Sequence, residues 1–334
     1  MKNTVIAVVG AGSWGTALAQ FLAGLNHEVR LWAYEREIVD SVLSTGENRA
    51  YLPGIKLIEA IRPTTDMAEA IDGAQIVLTV MPSHVCRFLY ERLLPYLQPE
   101  TVLVSATKGL EERSLMRMSE VIQSVVDERF PPKIVVLSGP SFAREVALGH
   151  PTAVVVASKD PATAGFIQEH FSSGTLRLYT TTDVTGVELG GAVKNVIAIA
   201  AGVIEGLGLG HNPMAALITR GLAEISRLGR ACGARGETLS GLAGLGDLVL
   251  TCTGNLSRNR SVGIQLGRGR KLHEIVESTN TVAEGVKTTG VTVELAASRK
   301  VEMPITQQVY RILQDKISPQ SAIRELMDRS LKNE

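Results

Sequence analysis

The stretch from Val5 to Leu25 leaves little choice of fold. Val5-Ile6-Ala7-Val8-Val9 is an unbroken apolar run rich in β-branched residues, the pattern of a strand covered on both faces in a parallel sheet. It ends at Gly10-x-Gly12-x-x-Gly15, and the residues that follow put Ala17, Leu18, Phe21, Leu22 and Leu25 on one helical face. Strand, glycine turn and helix in that order form the context in which this fingerprint binds a dinucleotide. Each glycine has its own task. Gly10 permits the tight turn, Gly12 leaves the backbone open to a pyrophosphate, and Gly15 lets helix and strand pack closely. The helix start then presents free N–H groups and the positive end of its dipole to the phosphates. Outside that context the same glycines would make an ordinary turn of an α/β unit.

The chain goes on as strands alternating with helices. Glu28–Trp32 reads as a second strand, leading into Ala33-Tyr34-Glu35-Arg36. Glu35 lies 20 residues after Gly15, where an acidic residue holds the adenosine ribose of NAD, whereas Arg36 beside it suits the 2′-phosphate of NADP. The two cofactors both stay open, and either charge also suits a solvated helix start. Further strands are expected at Gln75–Val80, Thr101–Ser105, Ile134–Ser138, Thr152–Ala157 and Leu176–Thr180, with helices at Thr64–Asp72, His84–Leu94 and Pro161–Phe171. The C-terminal ends of such strands face the ligand crevice. That puts Lys108, in Ala106-Thr107-Lys108-Gly109, and Gly139-Pro140-Ser141 at the crevice. The Gly-Pro-Ser segment supplies a turn and an N-cap, or offers N–H and hydroxyl groups to a ligand.

After Asp183 strand runs give way to helix-period stretches down to the C-terminus. With 334 residues there is room for two domains. The expectation is an α/β protein: a dinucleotide-binding Rossmann domain with a doubly wound sheet at 1–182, then an all-helical domain at 183–334. Val187–Gly202 is an apolar helix nearly all round, interrupted by Lys194 and Asn195. A buried lysine is costly unless it is paired or functional, or snorkels to the surface. Gly206-Leu207-Gly208-Leu209-Gly210 follows a helix and reads as a loop, not a second nucleotide site. Gly241–Thr253 reads as a tight turn entering an apolar segment whose only charge is Asp247. Ser257-Arg258-Asn259-Arg260 opens a further helix, as an anion site or as a capped start with a solvated arginine.

Composition narrows the partners. The formal net charge is zero, which argues against nucleic acid or an anionic membrane. Apolar runs are interrupted well short of a membrane span, and the first strand begins too early for a signal peptide. Cys86, Cys232 and Cys252 lie far apart, as small buried residues of a cytoplasmic protein do. No histidine, cysteine or carboxylate spacing suggests a metal.

Six segments carry a resemblance: Gly10-Ala-Gly-Ser-Trp-Gly15, Ala106-Thr-Lys-Gly109, Ser138-Gly-Pro-Ser-Phe-Ala143, Leu189-Gly-Gly-Ala-Val-Lys-Asn-Val-Ile197, Ala243-Gly-Leu-Gly-Asp-Leu248 and Ser257-Arg-Asn-Arg260. From Val5 to about Thr306 the chain resembles the soluble NAD(P)-dependent glycerol-3-phosphate dehydrogenases of bacterial type. The resemblance implies a homodimer with NAD or NADP as cofactor. It implies interconversion of dihydroxyacetone phosphate and sn-glycerol 3-phosphate, feeding phospholipid synthesis. By position it implies Lys194 as the catalytic proton acceptor, held by Asp247. Substrate positions are Lys108, Gly139, Ser141, Lys194, Asp247, Ser257, Arg258 and Asn259. Cofactor positions are Gly10, Gly12, Ser13, Trp14, Gly15, Tyr34, Lys108, Ala143, Arg258, Val282 and Glu284, and the loop holding Tyr34 sets NAD against NADP. Two alternatives stand beside this: a dinucleotide sensor without turnover, and a related dehydrogenase acting on another acid or sugar phosphate.

Overall fold

The computed structural model describes residues 4–278 and 283–331. Its contacts divide into two compact units. One holds the chain up to Glu111 and then Met116–Glu188; the other holds Glu112–Leu115 and everything from Leu189 onward.

The first unit is built on a sheet of β1 (Val5–Val9), β2 (Glu28–Trp32), β3 (Arg62–Thr64), β4 (Ile76–Thr79), β5 (Val102–Ser105), β6 (Lys133–Ser138), β7 (Thr152–Ala157) and β8 (Leu176–Thr181), in the order β3-β2-β1-β4-β5-β6-β7-β8. Every neighbouring pair is parallel except β6 with β7. The doubly wound arrangement follows from strands that are apolar on both sides. In β1, Ile6 and Val8 join one core and Ala7 and Val9 the other. The first core is closed by α1 (Ser13–Gly24), α2 (Arg36–Thr45) and, beyond them in the chain, Ile167 and Phe171. The second is closed by α3 (Met67–Ile71), α4 (Cys86–Leu93) and α5 (Met118–Val126). A short helix, α6 (Ala143–Ala147), lies between β6 and β7, and Ile167 and Phe171 belong to α7 (Pro161–Phe171). The strand order reverses direction between β1 and β4, and in open sheets ligands bind outside the strand C-termini at that point.

Three local expectations change. Thr64 does not start a helix: it ends the edge strand β3, and α3 begins at Met67 under an Asp66 cap that accepts from the Ala68 and Glu69 amides. Ser141 does not cap α6, which follows Phe142 without a side-chain cap; its hydroxyl donates to the Gly139 carbonyl instead. Cys86 and Cys252 are buried, and burial pushes both thiols up to about 12, but Cys232 is only half-buried.

The regular elements of the second unit are all helices among its described residues. It contains α8 (Val184–Gly206, entering the unit after Glu188), α9 (His211–Ala231), α10 (Gly236–Ser240), a π-helical turn at Leu242–Gly246, α11 (Asp247–Thr253), α12 (Arg258–Gly267), α13 (Leu272–Glu277), α14 (Glu284–Ser298), α15 (Pro304–Leu313) and α16 (Pro319–Met327). Taken whole, α8 is long and apolar enough to cross a membrane, a length that counting uninterrupted apolar residues misses; 94% of its apolar window is nevertheless buried inside the protein. It crosses α12 backbone to backbone. A Cβ on Gly202 would lie 2.0 Å from the Arg260 carbonyl, and one on Gly263 would lie 2.0 Å from that of Ile199. Val196, Ile199 and Val203 pack there with Val262, Leu266, Val309 and Leu313.

Candidate functional site

At the end of β1 the fingerprint glycines are required by shape. Gly10 has φ +115°, and a Cβ there would meet the Val80 carbonyl oxygen at 2.2 Å, so only glycine fits. A Cβ on Gly15 would sit 1.8 Å from the Gly10 oxygen, whereas around Gly12 nothing lies within 4 Å of that position. Gly12 opens α1, and no side chain caps the helix. Its first amides therefore face an open cradle, which suits a pyrophosphate. Trp14 and Ala143 both pack on the first core, and the buried indole N–H of Trp14 has no partner among the described residues. The Ser13 hydroxyl donates to the Tyr51 carbonyl. Tyr34 stands 73% exposed just past β2, edge-on to Trp32.

Two strands over, the adjacent ends of β5 and β6 bring Lys108, Gly139 and Ser141 together. Lys108 Nζ donates to the Gly139 oxygen at 3.3 Å, and the Ser141 hydroxyl donates to the same oxygen at 3.0 Å.

The second unit holds the other group. Lys194 sits mid-way along α8 and is only 5% exposed. Its ammonium donates to the carboxylate of Asp247, itself 1% exposed, and to the Thr251 hydroxyl at 2.9 Å. Asp247 and Thr251 are one turn apart on α11, and Thr251 returns a hydrogen bond to the Asp247 carbonyl at 2.7 Å. The approach of this segment depends on Gly190, where a Cβ would come within 2.6 Å of the Ala243 carbonyl. Next to Lys194, Asn195 accepts from Asn259 Nδ2 at 2.9 Å, and Asn259 accepts from the Gly285 amide at 2.9 Å. Glu284 opens α14 beside that amide. Ser257 caps α12 by accepting from the Arg260 amide at 3.2 Å, and Arg258 is exposed at the first position of the helix. Thus Lys194, Asp247 and Asn259 are gathered within the second unit, while Lys108, Gly139 and Ser141 are gathered within the first. Val282 lies outside the described residues. Thr251 and the role of Asn195 were not picked out from the sequence. The four-residue spacing from Asp247, which puts Thr251 on the same helical face, was the available signal. Among the described residues no cluster of histidine, cysteine and carboxylate side chains could hold a metal ion.

The family model of the NAD-dependent glycerol-3-phosphate dehydrogenase N-terminus matches residues 5–164, and that of the C-terminus matches 183–324. The chain belongs to the NAD-dependent glycerol-3-phosphate dehydrogenase family. Within that family it is 56% identical to the glycerol-3-phosphate dehydrogenase [NAD(P)+] of Koribacter versatilis, over 97% of each chain. It is 55% identical to that of Acidobacterium capsulatum, over 98% of this chain and 99% of the relative. Among solved structures it is similar to the glycerol-3-phosphate dehydrogenase of Coxiella burnetii, with a TM-score of 0.93, 42% identity and coverage of 98% and 99%. The glycine cradle, and the buried ammonium held by a carboxylate and a hydroxyl, are therefore features of a glycerol-3-phosphate dehydrogenase family fold. A positioned ammonium of this kind can donate a proton to a carbonyl oxygen or, once deprotonated, take one from a hydroxyl.

Proposed function

We propose that this chain interconverts dihydroxyacetone phosphate and sn-glycerol 3-phosphate with NAD(H) or NADP(H), supplying glycerol 3-phosphate for phospholipid synthesis. The observation that carries this reading is Lys194, a buried ammonium oriented by Asp247 and Thr251 in a chain of this family. When bound, the nicotinamide supplies a hydride to the carbonyl carbon or accepts one from the alcohol carbon. Lys194 protonates the carbonyl oxygen as its charge develops, and it takes the hydroxyl proton in the reverse direction. Asp247 and Thr251 hold the amine in line. Arg258, with Ser257 and Asn259 at the start of α12, anchors the phosphate, which fixes the reacting carbon in place. Lys108, Gly139 and Ser141 are the further substrate positions of this reading.

The cofactor positions of this reading are Gly10, Gly12, Ser13, Trp14, Gly15, Tyr34, Lys108 and Ala143 and, on the family resemblance alone, Arg258, Val282 and Glu284. Residues 1–182 serve as the nucleotide domain and 183–334 as the substrate and catalytic domain. The protein works in the cytoplasm as a homodimer, without nucleic acid or membrane. The test is a steady-state assay of purified protein with dihydroxyacetone phosphate and each reduced cofactor, beside light scattering for a mass twice the 35.7 kDa of the chain. Cofactor oxidation dependent on dihydroxyacetone phosphate is expected. Tight cofactor binding without oxidation would instead make the protein a sensor, and turnover only with another acid or sugar phosphate would reassign the substrate.

A further inference from the structure

We propose that the Glu35 carboxylate, held by the Tyr51 hydroxyl, makes this chain select NAD(H) over NADP(H), with Tyr51 as the positioning residue. The inference rests on the reading that the glycine cradle takes a dinucleotide.

β1 and β2 run side by side with Val9 opposite Trp32, and the Gly10 amide donates to the Trp32 carbonyl at 3.1 Å. The residues after Trp32 therefore leave the sheet alongside the glycine turn. Glu35 is the N-cap of α2, yet its side chain accepts nothing from the helix, although a carboxylate at that position normally takes an amide of the first turn. Its Oε1 instead accepts from the Tyr51 hydroxyl at 3.1 Å.

Tyr51 is itself tied to the glycine turn. Its amide donates to Asn48 Oδ1 at 3.1 Å, and its carbonyl accepts from the Ser13 hydroxyl. Asn48 is fully buried, and its Nδ2 donates to the Ala11 carbonyl at 2.7 Å and to Thr16 Oγ1 at 2.8 Å. A chain of hydrogen bonds thus runs from the pyrophosphate cradle to the carboxylate. Burial first, and then the Glu35 charge, raise the pKa of Tyr51, so its hydroxyl stays a donor.

The competing cation is occupied. Arg36 Nε donates to Asp40 at 3.0 Å one turn further on, and Glu37 shares the first turn of α2. Arg36 thus pairs with Asp40, and its chain neighbours Glu35 and Glu37 are both acidic. A carboxylate fixed here accepts the ribose hydroxyls of NAD and repels the 2′-phosphate of NADP.

The experiment uses the full-length protein. NADH and NADPH are titrated by their fluorescence, and kcat/KM is measured for each with dihydroxyacetone phosphate. Wild type should favour NADH by at least about tenfold, because a like-charge approach is costly. Glu35→Gln should cut that ratio by about tenfold or more through a lower KM and Kd for NADPH. Tyr51→Phe, which deletes one oxygen, should move the ratio the same way by roughly threefold to tenfold at an unchanged melting temperature. A structural role alone would move both cofactors together. Arg36→Ala should hold the ratio. A wild type that favours NADPH, or an unchanged ratio in either Glu35→Gln or Tyr51→Phe, overturns the proposal. So does a ratio decided by Arg36. Binding of neither cofactor overturns this proposal and the dinucleotide reading together. Binding without turnover overturns only the assigned reaction, because the titrations still read the selection.

Discussion

Replacing Lys194 by methionine keeps the length of the side chain and deletes its charge. Asp247 is 1% exposed and bonded to that ammonium, so the substitution strands a carboxylate in the interior. Breaking a buried ion pair by removing one partner costs about 3–5 kcal/mol, a large share of the roughly 5–15 kcal/mol that holds a typical protein folded. Loss of a positioned proton-transfer group costs roughly 10²–10⁴-fold in rate. Lys194→Met alone therefore mixes two effects, and adding Asp247→Asn separates them. The single variant is expected to melt well below wild type and to show almost no oxidation of NADH or NADPH with dihydroxyacetone phosphate. The double variant no longer buries a carboxylate that has lost its ammonium, so it should regain much of the lost melting temperature while turnover stays absent. Thermal melting and the coupled-free absorbance assay at saturating substrate read the two quantities. Turnover of folded Lys194→Met within about tenfold of wild type would remove Lys194 from proton transfer. A double variant no more stable than the single one would refute the argument that the two charges balance each other.

Three further outcomes are expected. Arg258→Ala should raise the KM for dihydroxyacetone phosphate, since a charged hydrogen bond of about 1.5–3 kcal/mol corresponds to roughly 10- to 150-fold; an unchanged KM would place the phosphate elsewhere. Gly263→Ala puts a methyl group 2.0 Å from the Ile199 carbonyl, and overpacking against backbone costs about 1–3 kcal/mol or more. Its melting temperature should fall, and a variant as stable as wild type would contradict the close crossing of α8 and α12. His27 is buried, with Nε2 against the His170 carbonyl at 3.0 Å, and burial lowers its pKa below the usual 6.5. The folded state therefore favours neutral His27. This contribution is fully present above pH 6.5 and is lost as the pH falls through the folded-state value. His27→Gln should lose less melting temperature than wild type between about pH 7.5 and about pH 5; equal losses would assign the acid sensitivity to other groups.

Contiguous residues by themselves determined the first strand, the glycine turn and α1, because apolar period, turn chemistry and helix face all lie within Val5–Leu25 and agree. The same holds for α7, read at Pro161–Phe171, and for the apolar stretch with a misplaced lysine that became α8. Tertiary structure decided what depends on a distant partner. β3 has three residues, one of them Pro63, and is a strand only because Arg62–Thr64 pair with Arg30–Trp32 at the sheet edge. α5 went unread between two strands, although Val121, Ile122 and Val125 turn its apolar face to the second core. Ser141 has the side chain of a cap, yet the carbonyl of Gly139 takes its hydroxyl. Thr251 meets Lys194 across 57 positions of chain, and Tyr51 meets Glu35 across 16. Periodicity and turn propensity are short-range properties, so they report which element a segment forms. Which hydroxyl reaches a buried ammonium or the carboxylate at the start of α2 depends on how the elements pack, and no local pattern records it.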